Sequence, residues 1–290
     1  MKRFQFRSTR TRGIFVLVAL LICANVFVWL GVIDQALAKH LTVTFLNVGQ
    51  GDAIFIETQD GKQILVDGGN GRAVLRELGS QMSFFDRTID VVISTHPDID
   101  HIGGLPEVFE RYRVGMYITS GTEGSSGVFH ELTDAVKEEG LSVLEGENDM
   151  YLQLNKDTAL HILFPDREVK NFESNAGSLI TKLTYGDTAF LFPGDTPAGI
   201  EAHVVGLYGE ALESDVLKLS HHGSNTSSSE LFLGFVNPLY AVISSGCDNP
   251  YGHPHEEVLA RLERFDIEHV STCEYGSITF ISDGRTVQRK

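Results

Sequence analysis

Short apolar runs separated by polar and glycine-rich turns mark the start of the folded part of the chain. Apolar and β-branched residues dominate 41–48, 53–57 and 63–66, and Asp60-Gly61 before the third run is typical of a hairpin turn. The pattern predicts that the folded part opens with a β-meander.

Helical periodicity appears further along the chain, in segments 72–78, 104–112 and 128–138. Strand-like runs lie between these segments and continue into the second half; they are 91–95, 116–119, 142–144, two runs within 151–164, 178–185, 188–192, 216–220, 240–243 and 268–271. No low-complexity linker divides the body, and both halves carry strands followed by helices. The pattern predicts an α/β fold in which two sheets pack face to face with helices outside them, an αββα sandwich.

An uncharged apolar run, residues 14–33, precedes the folded part and follows a basic stretch. Its length matches the ~20 residues of a transmembrane helix, and the basic residues favour a cytoplasmic start. We therefore expect residues 1–38 to be a basic cytoplasmic tail and single-pass anchor in a bacterial cytoplasmic membrane, with 39–290 as an extracytoplasmic domain. The small residues of Ala36-Leu37-Ala38 leave a cleaved signal peptide and a secreted protein as the alternative.

Charge limits what the folded part can bind. The chain has 290 residues, enough for one large domain, and its formal net charge is −16 despite the basic N-terminal stretch. An excess of acidic residues predicts that the folded part has no broad basic surface for nucleic acid. A phosphodiester substrate would therefore have to bind locally, through metal ions. No Ser-His-Asp arrangement, reactive cysteine or phosphate loop indicates another chemistry.

Two cysteines follow short predicted strands, Cys247 after 240–243 and Cys273 after 268–271. Neighbouring strand ends would bring the two within bonding distance. The sequence leaves open whether they form a disulfide in an oxidising compartment or remain free thiols.

Four potential metal ligands fall within six residues at the end of the predicted strand 91–95. They are His96, Asp98, Asp100 and His101. Alternate residues of an extended segment share a face, so the first three can converge, and the turn into the next helix places the fourth beside Asp100. These side chains would repel and desolvate one another unless a cation held them. The cluster predicts a metal site, against the alternative of a solvated polar loop.

This segment, His-Pro-Asp-Ile-Asp-His, resembles the HxHxDH signature of the metallo-β-lactamase superfamily, in the variant with Asp in place of the second His. Further motifs follow the order of the extracytoplasmic hydrolase-like domain of the ComEC family of DNA-uptake proteins; they lie at 48–53, 65–69, 192–195, 217–224 and 251–255. The resemblance covers roughly residues 41–285. It implies a metallo-β-lactamase-like sandwich with a metal-dependent hydrolase site.

The resemblance also implies roles for residues outside the signature. Asp195, which ends the strand 188–192, is expected to bridge two cations, and Asp67 is expected to orient the ligand loop. One of His221 and His222 is expected to complete the second metal site, with a slight preference for His221.

One stretch departs from the superfamily pattern. Members usually carry a His that completes the first metal site, whereas residues 171–179 contain none. Asn175 and Ser178 are expected to line the site instead. Because carboxylates replace two imidazoles, the predicted pair of divalent cations is Zn²⁺ or Mn²⁺.

His253 and His255 flank Pro254 in a glycine-containing loop. We expect them to bind a substrate phosphate or, for His253, to donate a proton to the leaving group; the alternative is the start of a helix. With two cations activating a shared water, Asp100, Asp195 and His253 are the expected catalytic residues.

These expectations combine into a membrane-anchored phosphodiesterase, with a DNA nuclease related to uptake implied by the resemblance. The expected substrate is single-stranded DNA or another phosphodiester. The chain lacks the many membrane spans of ComEC proteins and therefore is not itself the channel. A hydrolase of a small phosphoester, or a metal-binding module without catalysis, remains as an alternative.

Overall fold

The structure, a computed structural model, describes residues 9–37 and 40–290. The chain divides into two compact units, residues 1–39 and residues 40–290. In the first unit the described residues form one helix, α1 (Thr9–Leu37). The basic residues before position 9, and Ala38 of the predicted cleavage site, lie outside the described residues.

The structure contradicts the transmembrane anchor that was expected from the sequence. Within residues 9–37 and 40–290, no helix combines the length and the apolar character that crossing a bilayer requires. The predicted anchor is wrong, and so is the membrane location that was derived from it.

The second unit contains all the strands that the structure describes. In chain order these are β1 (Leu41–Phe45), β2 (Ile54–Glu57), β3 (Gln63–Val66), β4 (Thr88–Ser94), β5 (Arg113–Thr119), β6 (Val143–Glu145), β7 (Tyr151–Gln153), β8 (Thr158–Phe164), β9 (Ile180–Tyr185), β10 (Thr188–Phe192), β11 (Val216–Lys218), β12 (Tyr240–Ile243), β13 (Glu268–Ser271), β14 (Ile278–Ser282) and β15 (Val287–Arg289).

The helices of this unit follow or separate the strands. They are α2 (Ala73–Gln81), α3 (Ile99–Ile102), α4 (Leu105–Arg111), α5 (Gly127–Glu138), α6 (Ala198–Tyr208), α7 (Glu230–Val236), α8 (Glu256–Arg264) and α9 (Thr272–Tyr275), with short 3₁₀ turns at Asn175–Gly177, Gly209–Leu212 and Ser220–Gly223.

The strands form two sheets. One has eight strands in the order β15-β14-β1-β2-β3-β4-β5-β6, and the other has seven in the order β13-β12-β11-β10-β9-β8-β7. The predicted β-meander is confirmed, because β1, β2 and β3 pair antiparallel. Strands β3 to β6 are parallel in the first sheet, as are β10 to β13 in the second.

Three apolar layers hold this unit together. Between the sheets the ring of Phe45 lies 6.1 Å from that of Phe192 and 6.0 Å from that of Phe280, in edge-to-face contacts. Helices α2, α4 and α5 cover the outer face of the first sheet, and α6, α7 and α8 cover the second. Because each sheet buries both faces, the observed layers are those of the predicted αββα sandwich.

The two cysteines of this unit are bonded to each other. Cys247 and Cys273 form a disulfide with their Cα atoms 5.0 Å apart. The bond attaches the loop that follows β12 to α9, and it decides the alternative that the sequence left open.

Candidate metal centre

The polar site lies where parallel strands of both sheets end. Asp67 follows β3 and His96 follows β4 in the first sheet, while Asp195 and His222 follow β10 and β11 in the second. Carboxyl ends of parallel strands meet at one edge of a sheet, so residues far apart in the sequence come together. All four are buried.

The ligand loop after β4 is only partly extended. Asp98 is the last extended residue (φ −73°, ψ 147°), and Asp100 and His101 lie within α3. Asp100 therefore reaches the site through a helical turn rather than by the strand alternation that we expected, whereas His101 lies beside it in the turn, as the sequence indicated. Gly51 packs against this turn, where a Cβ atom would lie 2.0 Å from the carbonyl oxygen of Asp100, so only glycine fits there.

His101 is oriented from behind by a carboxylate. Its Nδ1 lies 2.8 Å from Asp67 Oδ2, and the same carboxylate accepts hydrogen bonds from the backbone N–H (2.8 Å) and hydroxyl (2.7 Å) of Thr95. Asp67 itself has a left-handed backbone, with φ 58°. His101 Nε2 consequently faces Asp195, 3.3 Å from Oδ1.

His222 is oriented in the same way by a backbone carbonyl. Its Nδ1–H donates to the Ser244 oxygen at 2.8 Å, which leaves Nε2 3.2 Å from Asp195 Oδ2 and 3.3 Å from Asp100 Oδ2. His221 is a quarter exposed, and its Nε2 lies 3.8 Å from Asp195 Oδ2. The structure thus places His222 at the centre of the cluster, and the sequence preference for His221 has no support in these distances.

Backbone strain accompanies this pair. His221 and His222 both have left-handed conformations, with φ of 50° and 55°. Such conformations are uncommon for residues other than glycine and concentrate at functional sites. The turn directs the two imidazoles apart, with 6.1 Å between their ring centroids.

His96 and Asp98 form the outer side of the cluster. The His96 ring lies 4.0 Å from that of His101, and its Nε2 lies 3.7 Å from Asp98 Oδ2. The Ser174 hydroxyl, which the sequence did not single out, donates to Asp98 Oδ1 at 2.6 Å. This contact joins the ligand loop to the segment that lacks the usual His.

That segment also contributes the two predicted residues. The Ser178 hydroxyl accepts a hydrogen bond from the Asp195 N–H at 3.4 Å, so it fixes the backbone of the central carboxylate. Asn175 Oδ1 is buried and has no hydrogen-bond partner among the described residues.

The two histidines of the later loop have different neighbours, although their ring centroids lie 5.0 Å apart. The His253 ring lies 5.5 Å from that of His221 and 6.3 Å from that of His222, so it borders the cluster. His255 Nδ1 accepts the N–H of Asn225 at 3.0 Å and the residue precedes α8. No contact of His255 with the carboxylates is recorded in the described part of the chain.

Two further charged residues belong to the site, and the sequence reasoning assigned them no role. Lys218 is buried and contacts Asp52; its Nζ also lies 3.3 Å from Asp195 Oδ1 and from the Gly194 carbonyl oxygen. Asp52 Oδ1 lies 3.5 Å from His222 Nδ1. A signal for Lys218 was present, since a lysine inside the predicted strand 216–220, among Val216, Leu217 and Leu219, needs a buried partner.

The ligand atoms of Asp52, His101, Asp195 and His222 all lie within 4.8 Å of one another. Asp52 approaches the Nδ1 sides of both histidines, whereas their Nε2 atoms face Asp195. We therefore regard Asp52 as a group behind the imidazoles and Asp195 as the one in front of them.

Buried groups of opposite charge shift one another's pKa values in this site. Burial alone would raise the pKa of Asp195, but the positive charges of His222 and His101 outweigh it and hold the pKa well below its ordinary value. Burial alone would lower the pKa of His222, but Asp195 and other carboxylates raise it to about 10. Lys218 contacts two of the buried carboxylates, Asp52 and Asp195, and a divalent cation would add further positive charge beside Asp195.

The ring nitrogens that face the cluster fit a metal. The Nε2 atoms of His96, His101 and His222 are buried and have no hydrogen-bond partner within the part of the chain that the structure describes. An unsatisfied buried polar atom costs about 1–3 kcal/mol, and neutral imidazole nitrogens oriented by a hydrogen bond at Nδ1 are common metal ligands. The donor set therefore suits a divalent metal ion.

Comparison with known proteins agrees with this geometry. The sequence pattern of the metallo-beta-lactamase superfamily matches residues 46–246. The chain is 29% identical to ComE operon protein 3 of Bacillus subtilis (strain 168), over 89% of this chain and 35% of that protein. It is 32% identical to Competence protein ComA of Neisseria gonorrhoeae, over 83% of this chain and 32% of that protein.

The chain thus spans about a third of the length of these relatives. Among solved structures it resembles Igni18, described as a novel metallo hydrolase from the archaeon Ignicoccus hospitalis. The TM-score is 0.55 at 16% identity, over 82% of this chain and 98% of that one. At this identity the likeness shows the fold alone.

Proposed function

The chain belongs to the metallo-β-lactamase superfamily, and on that premise we propose that it is a phosphodiesterase that uses divalent metal ions to cleave DNA. The observation that carries the proposal is the convergence of three unpartnered imidazole nitrogens on carboxylates at the shared edge of the two sheets. The similarity to competence proteins supports DNA as the substrate. Any wider activity of those longer relatives is a separate question.

The proposed metal ligands form two groups around one shared carboxylate. Asp195 is proposed to be common to both, because its oxygens face His101 and His222 of one group, and the ring of His96 from the other group lies only 4.0 Å from that of His101. His96 and Asp98 would hold one cation; Asp100, His101 and His222 would hold the other. Three imidazoles and three carboxylates make an oxygen-rich set, which suits Mn²⁺ as well as Zn²⁺. Bound cations would activate water for attack and neutralise charge on the phosphate oxygens.

The chain's own residues would orient these ligands and contact the substrate. Asp67 and the Ser244 carbonyl fix the two imidazoles, and Lys218 holds one oxygen of Asp195. Asp100 remains 29% exposed at its side chain, so its carboxylate can accept a hydrogen bond from the attacking water. Each contact restricts a side chain before substrate arrives, which is the preorganisation that catalysis requires.

His253 is proposed to contact the phosphate as a neutral hydrogen-bond donor. Burial, followed by the neighbouring charge of His221, lowers the pKa of His253 to about 4. A lowered pKa favours the uncharged imidazole at neutral pH and disfavours the imidazolium form that proton donation to the leaving group requires. Of the two roles expected from the sequence, phosphate binding is the one that this environment favours.

The formal net charge of −16 favours one alternative, a hydrolase of small phosphoesters, because an acidic body repels a long polyanion.

The test uses the full chain, stripped of metal with EDTA and reloaded with Mn²⁺ or Zn²⁺, against labelled single-stranded DNA and bis-p-nitrophenyl phosphate. Asp100→Ala should lose more than about 100-fold in turnover, whereas the exposed control Asp134→Ala should retain it.

Each outcome of this test has a distinct meaning. Cleavage of both substrates that disappears with Asp100→Ala supports the DNA phosphodiesterase. Cleavage of the small diester alone assigns the site to small phosphoesters. Stoichiometric metal binding without any cleavage refutes the enzymatic proposal and leaves a metal-binding module.

A further inference from the structure

Several hydrogen bonds and a disulfide hold the backbone of the exposed loop between β12 and α8. The Asn249 amide nitrogen donates to the carbonyl oxygens of Gly246 (2.8 Å) and His253 (2.6 Å). Its Oδ1 accepts the N–H groups of Tyr251 (3.2 Å) and His253 (2.9 Å). The disulfide from Cys247 anchors the start of the same loop. These contacts fix the backbone of the loop, and with it the position from which the Tyr251 side chain extends.

Tyr251 is the aromatic side chain that this loop presents at the rim of the metal centre. Its ring stacks on that of His253, with 5.6 Å between centroids and 24° between planes, yet the residue is 61% exposed. His253 in turn lies beside His221 and His222. An exposed aromatic residue alone needs no explanation, but this one lies one side chain away from the proposed phosphate contact.

Such a ring can bind substrate without any positive charge. Proteins that bind single strands stack bases on aromatic side chains, and this contact tolerates any sequence because every base has a π-face. Contacts from basic residues to the phosphates contribute to the binding of single strands and duplexes alike. A chain of net charge −16 provides such contacts poorly, which increases the relative contribution of stacking. The bases of a duplex are also already stacked on one another, so an unpaired base is the group that fits.

We propose that Tyr251 is a stacking platform for a nucleobase of a single-stranded nucleic acid whose phosphate lies at the metal centre. This inference rests on the proposed phosphodiesterase function and names its substrate class. The platform would hold the nucleotide that flanks the scissile phosphate, with His253 between the base and the metal ligands.

The test measures binding of the full chain by fluorescence anisotropy, in the Asp100→Ala background with Mn²⁺ present so that cleavage does not interfere. One probe is a labelled single-stranded oligothymidylate, and the other has the same backbone with abasic sugars. Tyr251→Ala should raise the Kd for oligothymidylate roughly 5- to 100-fold, as expected for loss of one stacked base. Tyr251→Phe keeps the ring and should stay within about twofold of the parent.

A matched control comes from the far edge of the second sheet. Tyr151 is also exposed and also stacks on a histidine, His161, at 3.9 Å between centroids, but it lies on β7, at the end of that sheet away from β12. Tyr151→Ala should leave binding of both probes unchanged. The abasic probe should bind the parent and Tyr251→Ala proteins equally.

Equal binding of oligothymidylate by the parent and Tyr251→Ala proteins would overturn the proposal. So would an abasic probe that depends on Tyr251 as strongly as oligothymidylate does, because the ring would then contact the sugar. Hydrolysis of bis-p-nitrophenyl phosphate by the unmodified chain is measured separately. Equal binding of oligothymidylate by the two proteins together with intact hydrolysis refutes only the platform. Absent hydrolysis refutes the proposed function, and the binding comparison can still be made.

Discussion

Replacing Lys218 with Met tests whether the buried amine neutralises the carboxylates of the site. Lys218 is fully buried, and its Nζ contacts Asp52 and, at 3.3 Å, Asp195 Oδ1. Methionine has a similar length and no charge, so the substitution removes the cation with little change in packing. Asp52 would then be a buried carboxylate without its lysine, and its Oδ1 already has no hydrogen-bond partner among the described residues.

The magnitude follows from the burial of both partners. Removing one member of a buried ion pair costs about 3–5 kcal/mol, because the other charge stays in a poorly hydrated place. For a domain of this size that corresponds to a fall in the unfolding temperature of roughly 6–20 °C. The assay is thermal unfolding of the metal-free full chain at neutral pH, since a bound divalent cation would itself neutralise the carboxylates.

Two further variants make the result decisive. Lys137→Met removes an exposed lysine, 3.5 Å from Asp134, and should lower the unfolding temperature by less than about 4 °C, because surface pairs contribute about 0–1 kcal/mol. Adding Asp52→Asn to Lys218→Met removes the uncompensated charge and should recover part of the loss. The reasoning is refuted if Lys218→Met unfolds at the parent temperature, or if the double variant is no more stable than the single one.

Three further predictions concern other parts of the structure. Glu201 is buried and accepts the N–H groups of Ser228 (2.7 Å) and Ser229 (2.9 Å), so Glu201→Ala should lower the free energy of unfolding by about 2–6 kcal/mol, at about 1–3 kcal/mol for each unsatisfied amide; an unchanged urea midpoint would contradict this. Burial raises the pKa of Tyr117 to about 12. Because that value exceeds the ordinary pKa of about 10, its contribution to stability is complete below pH 10 and is lost as the pH rises towards 12. Urea midpoints should therefore fall less steeply across this range in Tyr117→Phe than in the parent, and parallel curves would count against the assignment. Saturating Mn²⁺ or Zn²⁺ should stabilise the EDTA-treated chain by about 2.7 kcal/mol at a hundredfold excess over Kd; no rise in unfolding temperature would argue against a metal site.

Local patterns in the sequence were sufficient to predict the layers of the fold. Strands β3, β10, β12 and β13 begin and end where the apolar runs indicated, because a buried strand needs a continuous apolar segment bounded by turn residues. Where a strand boundary differs from the prediction, pairing with a neighbouring strand is the reason. Strand β4 begins at Thr88, three residues before the predicted start, because it pairs with β5 along that length.

The anchor prediction shows the opposite case. Hydropathy of residues 14–33 indicated a membrane span, yet no described helix is long and apolar enough for one. The apolar composition of this segment was therefore not sufficient evidence for a membrane-spanning helix.

By itself, the sequence determined that histidines and carboxylates would gather at strand ends, because motif spacing and strand period are local properties. Tertiary structure alone decided which atoms meet. It selected His222 over His221 through two left-handed residues, placed Asp52 behind the imidazoles and inserted Lys218 between two carboxylates. The contacts of Asp52 with Lys218 and His222 join residues more than a hundred positions apart. Sheet order and burial set their distances and charges, and no local pattern encodes either.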